Sequence, residues 1–193
     1  AAFGIDALRG GVRGPEELEE RLRLPVYASV PNFLTAPRLE RKGLRSGLVA
    51  LEMPLSPLTE AYWLLRAKIL FTEDDRRVRT LAVTSATELE GKTVTTLNLA
   101  AILAQAGARV VVLDADLRRP RCHQHLGLKR GPGLREILEQ GFPIQDAVQP
   151  SAFENLSLIS AGLPSNTPGA MLESAKVAQL VEELKKRFDY VLL

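Results

Sequence analysis

Apolar and polar positions change period several times along this chain, and each change marks an element. Behind Ser56-Pro57, Leu58, Tyr62, Leu65 and Ile69 recur at helical spacing, so a capped helix is predicted to about residue 71. From there the pattern alternates. "TLAVTS" reads as a strand, Lys92 to Ala106 as a helix stopped by Gly107, and "RVVVLD" as a strand whose unbroken apolar run suits cover on both faces. "GLREILEQG" is a short helix with its own glycine stop, "LSLISAG" a further strand, and "DYVLL" the last one. Between those two strands, residues 170 to 187 put Val177, Leu180, Val181, Leu184 and Phe188 on one face of a helix. Strand and helix in alternation predict an α/β fold, a doubly wound and mostly parallel sheet flanked by helices.

The first third is less regular. "GPEELEERLRL" has Pro15 and acidic residues in a first turn and predicts a short helix, and "PVYASV" predicts a short strand. Residues 31 to 56 carry Pro31, Pro37, Pro54 and several basic residues without sustained period, which predicts a long loop or wrapping arm. The expected organisation is therefore a prefix and arm over 1–56 and one domain over 57–193.

Composition narrows the function classes. With 193 residues, 46% of them apolar, the chain can bury one sizeable core. Lys and Arg total 25 against 23 Asp and Glu, and a formal charge of +2 gives no pull toward nucleic acid. Cys122 is the only cysteine, so neither an internal disulfide nor a cysteine-rich zinc site is available. No stretch approaches a membrane span and no signal peptide opens the chain, so the piece itself is expected to be soluble. It opens without Met and stops at Leu193 inside an apolar strand, which reads as a fragment of a longer chain.

Two motifs carry chemistry. Ala86, Thr87, Glu88, Leu89, Glu90, Gly91, Lys92 and Thr93 fit the pattern of A or G, four residues, then G-K-T, between a predicted strand and a predicted helix that continues through Val94. In that setting the pattern is a phosphate loop, and the fold expected is P-loop NTPase-like. Backbone N–H groups would ring phosphate oxygens, Lys92 would supply a point charge, and the Thr93 hydroxyl would ligate magnesium. Two loop residues go against the pattern: a side chain at Leu89 makes positive φ costly, and a carboxylate at Glu88 meets like charge on the phosphates. The second motif is "VVVLDADLRRP", which sets Asp114 and Asp116 at a strand's carboxyl end, where open parallel sheets bind ligands. Alternation along extended backbone would turn both carboxylates to one side, for one metal and its waters. The plainer role for either aspartate is a helix cap.

With both motifs, the chain resembles the cytoplasmic domain of the bacterial tyrosine kinases (BY-kinases) that control exopolysaccharide or capsule chain length and export. The family pairs S-x-x-P-G-E-G-K-[ST] with three apolar residues and D-x-D-x-R, here "VVL" then Asp114-Ala-Asp116-Leu-Arg118. The segments "EELEERLRLPVYASVP", "GPGLREIL" and "ISAGLPSNTPGAMLES" are also similar to family segments. The resemblance implies an ATP-dependent protein-tyrosine autokinase at the cytoplasmic face of the inner membrane. Lys92, Asp114 and Asp116 would be catalytic, residues 86–94 would hold ATP, and Thr93 and Asp114 would hold Mg2+. It also implies a membrane-embedded chain-length or activator segment as partner, a tyrosine-bearing protein substrate, and a Walker B aspartate beyond Leu193.

This chain departs from the family at definite places. Glu88 and Leu89 replace the loop's Pro and Gly. In the ring-forming pattern E-x-x-R-x-x-R, Glu60 and Arg66 fit while Trp63 takes the place of the first Arg. A tyrosine-rich tail is absent, and Tyr62 and Tyr190 read as core or interface residues. Trp63 is expected to pack against the domain, His123 and His125 to lie in an exposed loop, and Arg76, Arg77 and Arg79 to form a solvated turn. Two other readings stay open: a degenerate, non-catalytic module of the same system, and a switch ATPase of the partition or septum-site type. Thr87 stands where those ATPases carry an early lysine.

Overall fold

The four apolar residues Val110–Leu113 form a strand in which every side chain is buried, because both faces of the sheet are covered there while parallel strands pair with both of its edges. That strand, β2, is central in the computed structural model, which describes residues 14–31, 47–71, 78–164 and 168–193. The sheet runs β1-β5-β2-β4-β3, with β1 Thr80–Leu81, β3 Gln149–Pro150, β4 Leu156–Ile159 and β5 Tyr190–Leu192. β1, β5, β2 and β4 are parallel, and β3 lies antiparallel on the β4 edge. The expected α/β architecture is therefore present. Among the described residues the helices are α1 Pro15–Leu22, α2 Val49–Glu52, α3 Pro57–Leu70, α4 Lys92–Gln105, α5 Cys122–Leu126, α6 Leu134–Gln140, α7 Ile144–Ala147, α8 Pro168–Leu172 and α9 Ala175–Arg187.

Alternation along the strands builds two cores. Val110, Val112, Leu156, Leu158 and Leu192 face Leu97, Leu99 and Leu103 of α4. Val111, Leu113, Ile159 and Val191 face Leu134 and Leu138 of α6 and Leu180 and Leu184 of α9. A third cluster joins Val49, Ala50, Leu58 and Tyr62 to Ala101 and Ile102, so α4 is covered on its outer side as well. This sandwiching explains why α4 is buried from Thr96 to Ala104 without an amphipathic pattern.

Several expectations hold in detail. Ser56 caps α3 by accepting the Leu58 N–H at 3.1 Å. Pro15 starts α1, and Gly107 and Gly141 follow their helices with left-handed backbone. Others are corrected. "PVYASV" lies in no strand; its Val26 N–H goes to Glu19 Oε1 at 2.8 Å, and its Val26 carbonyl accepts from Lys68 Nζ at 3.1 Å, so side chains stand where a strand would need a backbone neighbour. Of the loop expected over 31–56, residues 32–46 lie outside the described residues, and the remainder contains buried α2. Asn98 anchors it: Oδ1 accepts the Ala50 N–H at 2.9 Å and Nδ2 donates to the Gly47 carbonyl at 3.1 Å. The helix expected over 170–187 breaks between α8 and α9, because Ser174 is extended and its hydroxyl donates to the Met171 carbonyl at 2.8 Å.

Arg76 and Arg77 lie outside the described residues, but Arg79 is no solvated turn residue. Its guanidinium donates to the Lys185 carbonyl, to that of Phe188 at 2.8 Å and to that of Asp189 at 3.4 Å, so it caps the carboxyl end of α9.

Candidate functional site

The phosphate loop leaves β1 and enters α4 through Gly91, whose φ of +92° suits glycine and whose missing side chain leaves open space. No side chain caps α4, so its first N–H groups remain available to an anion. Lys92 folds back along the loop, donating to Ser85 Oγ at 2.8 Å and to the Thr87 carbonyl at 3.2 Å. The Ser85 hydroxyl donates to the same carbonyl at 2.7 Å. The Thr87 N–H donates to Glu90 Oε2 at 3.2 Å and holds that carboxyl below its ordinary range. Ala86 to Glu90 are exposed, while Thr93 and Val94 sit half-buried in the first turn of α4.

The two residues that break the loop pattern behave differently from each other. Leu89 takes the positive φ that its side chain disfavours, +63°, and stands 85% exposed. Glu88 forms an ion pair with Arg119 Nη1, beyond the Asp114–Asp116 motif. Ser85, the serine that opens the family loop pattern, and Arg119, from the aspartate motif, thus join the loop; the motifs did not foretell the contact of Arg119 with Glu88, which spans 31 residues and has no local signal.

Asp114 follows β2, and its N–H continues the ladder to the Ile159 carbonyl at 2.9 Å. Its buried carboxylate accepts the Asp116 N–H at 3.2 Å and the Cys122 N–H at 3.1 Å. Burial pushes this carboxyl above its ordinary value, against the two donors, and neighbouring Asp116 pushes the same way. Asp116 itself is exposed, and its Oδ1 accepts the N–H groups of Arg118 at 3.2 Å and Arg119 at 2.9 Å. The pair is placed by a turn rather than by strand alternation, which ends with β2 at Leu113. Asp114 thus also does the capping work open to such an aspartate, at the start of α5.

His123 corrects an expectation. It lies buried on α5, with Nδ1 lacking a partner among the described residues, and burial pushes its imidazole down. Buried Cys122 and Leu126 on either side fold this short helix under the aspartate loop. His125 is half-buried on the same helix. Burial pushes the Cys122 thiol up, which leaves it a poor nucleophile. Just past the carboxyl end of β4, buried Glu136 accepts the Gly133 N–H at 2.8 Å and the Leu163 N–H at 3.1 Å, joining "GPGLREIL" to "ISAGLP". Gly133 is required there, since a Cβ would lie 2.2 Å from the Ser160 carbonyl.

The nucleotide and metal test favourably against this donor set. A lysine, an uncapped helix start and an open glycine turn are groups that would suit a phosphate, and hydroxyl and carboxylate oxygens such as those of Thr93 and Asp114 are hard ligands of the kind magnesium takes. Among the described residues no group of three His, Cys, Asp or Glu could hold a metal by itself, so phosphate and water oxygens would complete the shell.

Trp63 does not pack into the domain: it is 39% exposed, and the Arg66 guanidinium lies 5.6 Å from its ring centroid. Leu64 beside it is also exposed. Tyr62 is buried and Tyr190 packs half-buried against the core, as expected. No helix among the described residues is long and apolar enough to cross a membrane.

Comparison with known proteins bears on the family. A family model described as "AAA domain" (AAA_31) matches residues 79–193. The putative tyrosine-protein kinase EpsB of Ralstonia solanacearum is 32% identical over 197 residues, covering 100% of this chain and 26% of that protein. The chain thus spans about a quarter of the length of such relatives. The kinase domain of the Escherichia coli tyrosine kinase ETK superposes with a TM-score of 0.83 at 30% identity, covering 94% of this chain and 72% of that one. The septum site-determining protein MinD of Pyrococcus horikoshii, solved with Mg-ADP, gives 0.52 at 25% identity over 60% of this chain and 47% of its own. With the family model matching residues 79–193 and the tyrosine-kinase domain superposing over 94% of it, the chain belongs to the AAA-domain family and, within it, to the bacterial tyrosine-kinase domains.

Proposed function

We propose that this chain is the catalytic domain of an ATP-dependent protein-tyrosine kinase serving exopolysaccharide or capsule export. The observation that carries it is the meeting of two loops: the phosphate loop after β1 and the Asp114–Asp116 loop after β2 touch through Glu88 and Arg119, with the carboxyl end of β5 between their strands. Residues 86–94 hold the triphosphate, Lys92 by charge and the start of α4 by N–H groups. Thr93 and Asp114 hold magnesium, which neutralises phosphate charge when bound. Asp114, buried and doubly hydrogen-bonded, keeps a fixed position, while exposed Asp116 is open to an incoming tyrosine hydroxyl and accepts its proton. Phosphoryl transfer asks chiefly for positioning and charge neutralisation, which this set contributes.

The partners follow from the same reading. A tyrosine-bearing protein is the acceptor, a membrane-embedded chain-length or activator segment works beside the domain at the cytoplasmic face, and nucleic acid is no ligand. Self-association would use α3, where Glu60 is exposed but Arg66 is engaged by Trp63. Leu89 and Glu88 favour one second reading, a nucleotide-free regulatory module.

Calorimetric titration of Mg-ATP into the wild type and Lys92→Ala separates the two. A saturable wild-type isotherm, weakened about tenfold or more in the variant, is expected from loss of one charged phosphate contact. Identical flat isotherms would overturn the kinase reading in favour of the regulatory module. ATP hydrolysis stimulated by DNA or lipid would instead move the chain to the switch ATPases.

A further inference from the structure

Glu88 puts a carboxylate on a loop built to receive anions, and the side chain facing it is Arg119. The arginine is not there by chance of a long side chain alone. Its backbone N–H and that of Arg118 are both held by Asp116 Oδ1, at 2.9 and 3.2 Å, so the aspartate loop presents residue 119 toward the phosphate loop. On the other side, Glu88 follows Thr87, whose carbonyl takes Lys92 Nζ at 3.2 Å and whose N–H is fixed by Glu90 at 3.2 Å. Ammonium and guanidinium therefore reach adjacent residues of one loop, Lys92 the Thr87 carbonyl and Arg119 the Glu88 carboxylate. The pair contributes little to the fold, because its side chains are 64% and 70% exposed and exposed pairs are screened by water. Its consequence lies in what the loop presents to a phosphate.

We propose that Glu88 and Arg119 act as one unit, a charge clamp across the nucleotide site: Arg119 cancels the carboxylate that would otherwise repel the outer phosphates, and it ties the phosphate loop to the aspartate loop. Arg119 is a positioning residue that works through Glu88, and a nucleoside triphosphate is the ligand whose retention depends on it. This rests on the nucleotide-binding reading above. A lone carboxylate at position 88 is unfavourable in proportion to phosphate charge, so the dependence is greater for ATP than for ADP.

A double-mutant cycle in the full chain tests the clamp, with Arg119→Gln, Glu88→Gln and the double variant titrated with Mg-ATP and Mg-ADP by calorimetry. Arg119→Gln is expected to raise the Kd for Mg-ATP about tenfold, and by less for Mg-ADP. Glu88→Gln, which removes the carboxylate, is expected to lower the Kd for Mg-ATP by about twofold, and Arg119→Gln to add less than about twofold once Glu88 is gone. Melting temperatures of the four proteins should agree within about 2 °C, as fits an exposed pair. An equal penalty for Arg119→Gln with and without Glu88, or no penalty at all, would overturn the clamp while leaving nucleotide binding intact. A wild type that binds neither nucleotide would overturn the binding reading and the clamp with it.

Discussion

Leu89 holds a left-handed backbone at +63° with its side chain 85% exposed, so the residue carries the steric cost of that conformation and recovers almost no burial. For an L residue with a Cβ the cost is roughly 1–2 kcal/mol, and glycine escapes it while giving back roughly 0.5–1 kcal/mol through its freer unfolded chain. Leu89→Gly is therefore expected to leave stability unchanged or raise it by up to about 1.5 kcal/mol, a rise of up to about 3–6 °C in melting temperature for a chain of this size. Differential scanning calorimetry checks it, and a loss of stability would mean that the leucine side chain supports the loop. The turn's demand for positive φ was legible in the sequence, because the family pattern carries glycine there. Arg119 was not. Its partner is 31 residues away, and only the β1-β5-β2 order brings their loops together.

Among the elements, those whose period stays constant for several turns or whose apolar run is unbroken were legible: α3, α4, β2 and β4 fall where the pattern puts them. The short ones were not, since the four residues of α2 complete barely one turn and show no period. The form of α2 is set by tertiary contact, through Asn98 on α4. Asn98 is fully buried, and besides Ala50 and Gly47 it reaches the Val94 carbonyl at 2.8 Å, so one side chain satisfies backbone groups of two helices. Asn98→Ala removes those partners and leaves the Ala50 N–H and the Gly47 carbonyl without them inside the fold. Each such buried group costs about 1–3 kcal/mol, so a loss of about 2–6 kcal/mol in urea unfolding is expected. Faster amide exchange at residues 49–53 should accompany it. A loss below about 1 kcal/mol would show that α2 is held by its apolar contacts alone.

For the whole molecule, the sheet order decides what can be removed. β5 comes last in the described chain yet lies between β1 and β2, so the central pairing waits for residues far downstream. Arg109 and Asp189 tie its entry through the Arg109 N–H at 2.8 Å and the guanidinium at 3.0 Å. The N-terminal side behaves differently, because α1 buries none of its residues, while Leu48, Val49 and Ala50 lie in the same cores as α4. The boundary expected from the loss of period, between residues 56 and 57, would separate Leu48, Val49 and Ala50 from the α4 residues they pack on, and we propose that the functional unit begins at Gly47. Two shortened chains separate these starting points. One beginning at Gly47 keeps α2 and the Asn98 bonds and should melt within about 4 °C of the full chain. One beginning at Pro57 loses the buried side chains of Leu48 and Val49, each worth roughly 1.5–3 kcal/mol, and strands Asn98 and Thr59, whose hydroxyl otherwise meets the Val49 carbonyl at 3.1 Å. It should melt about 10 °C lower or fail to unfold cooperatively, and equal melting of the two would return the boundary to residue 57.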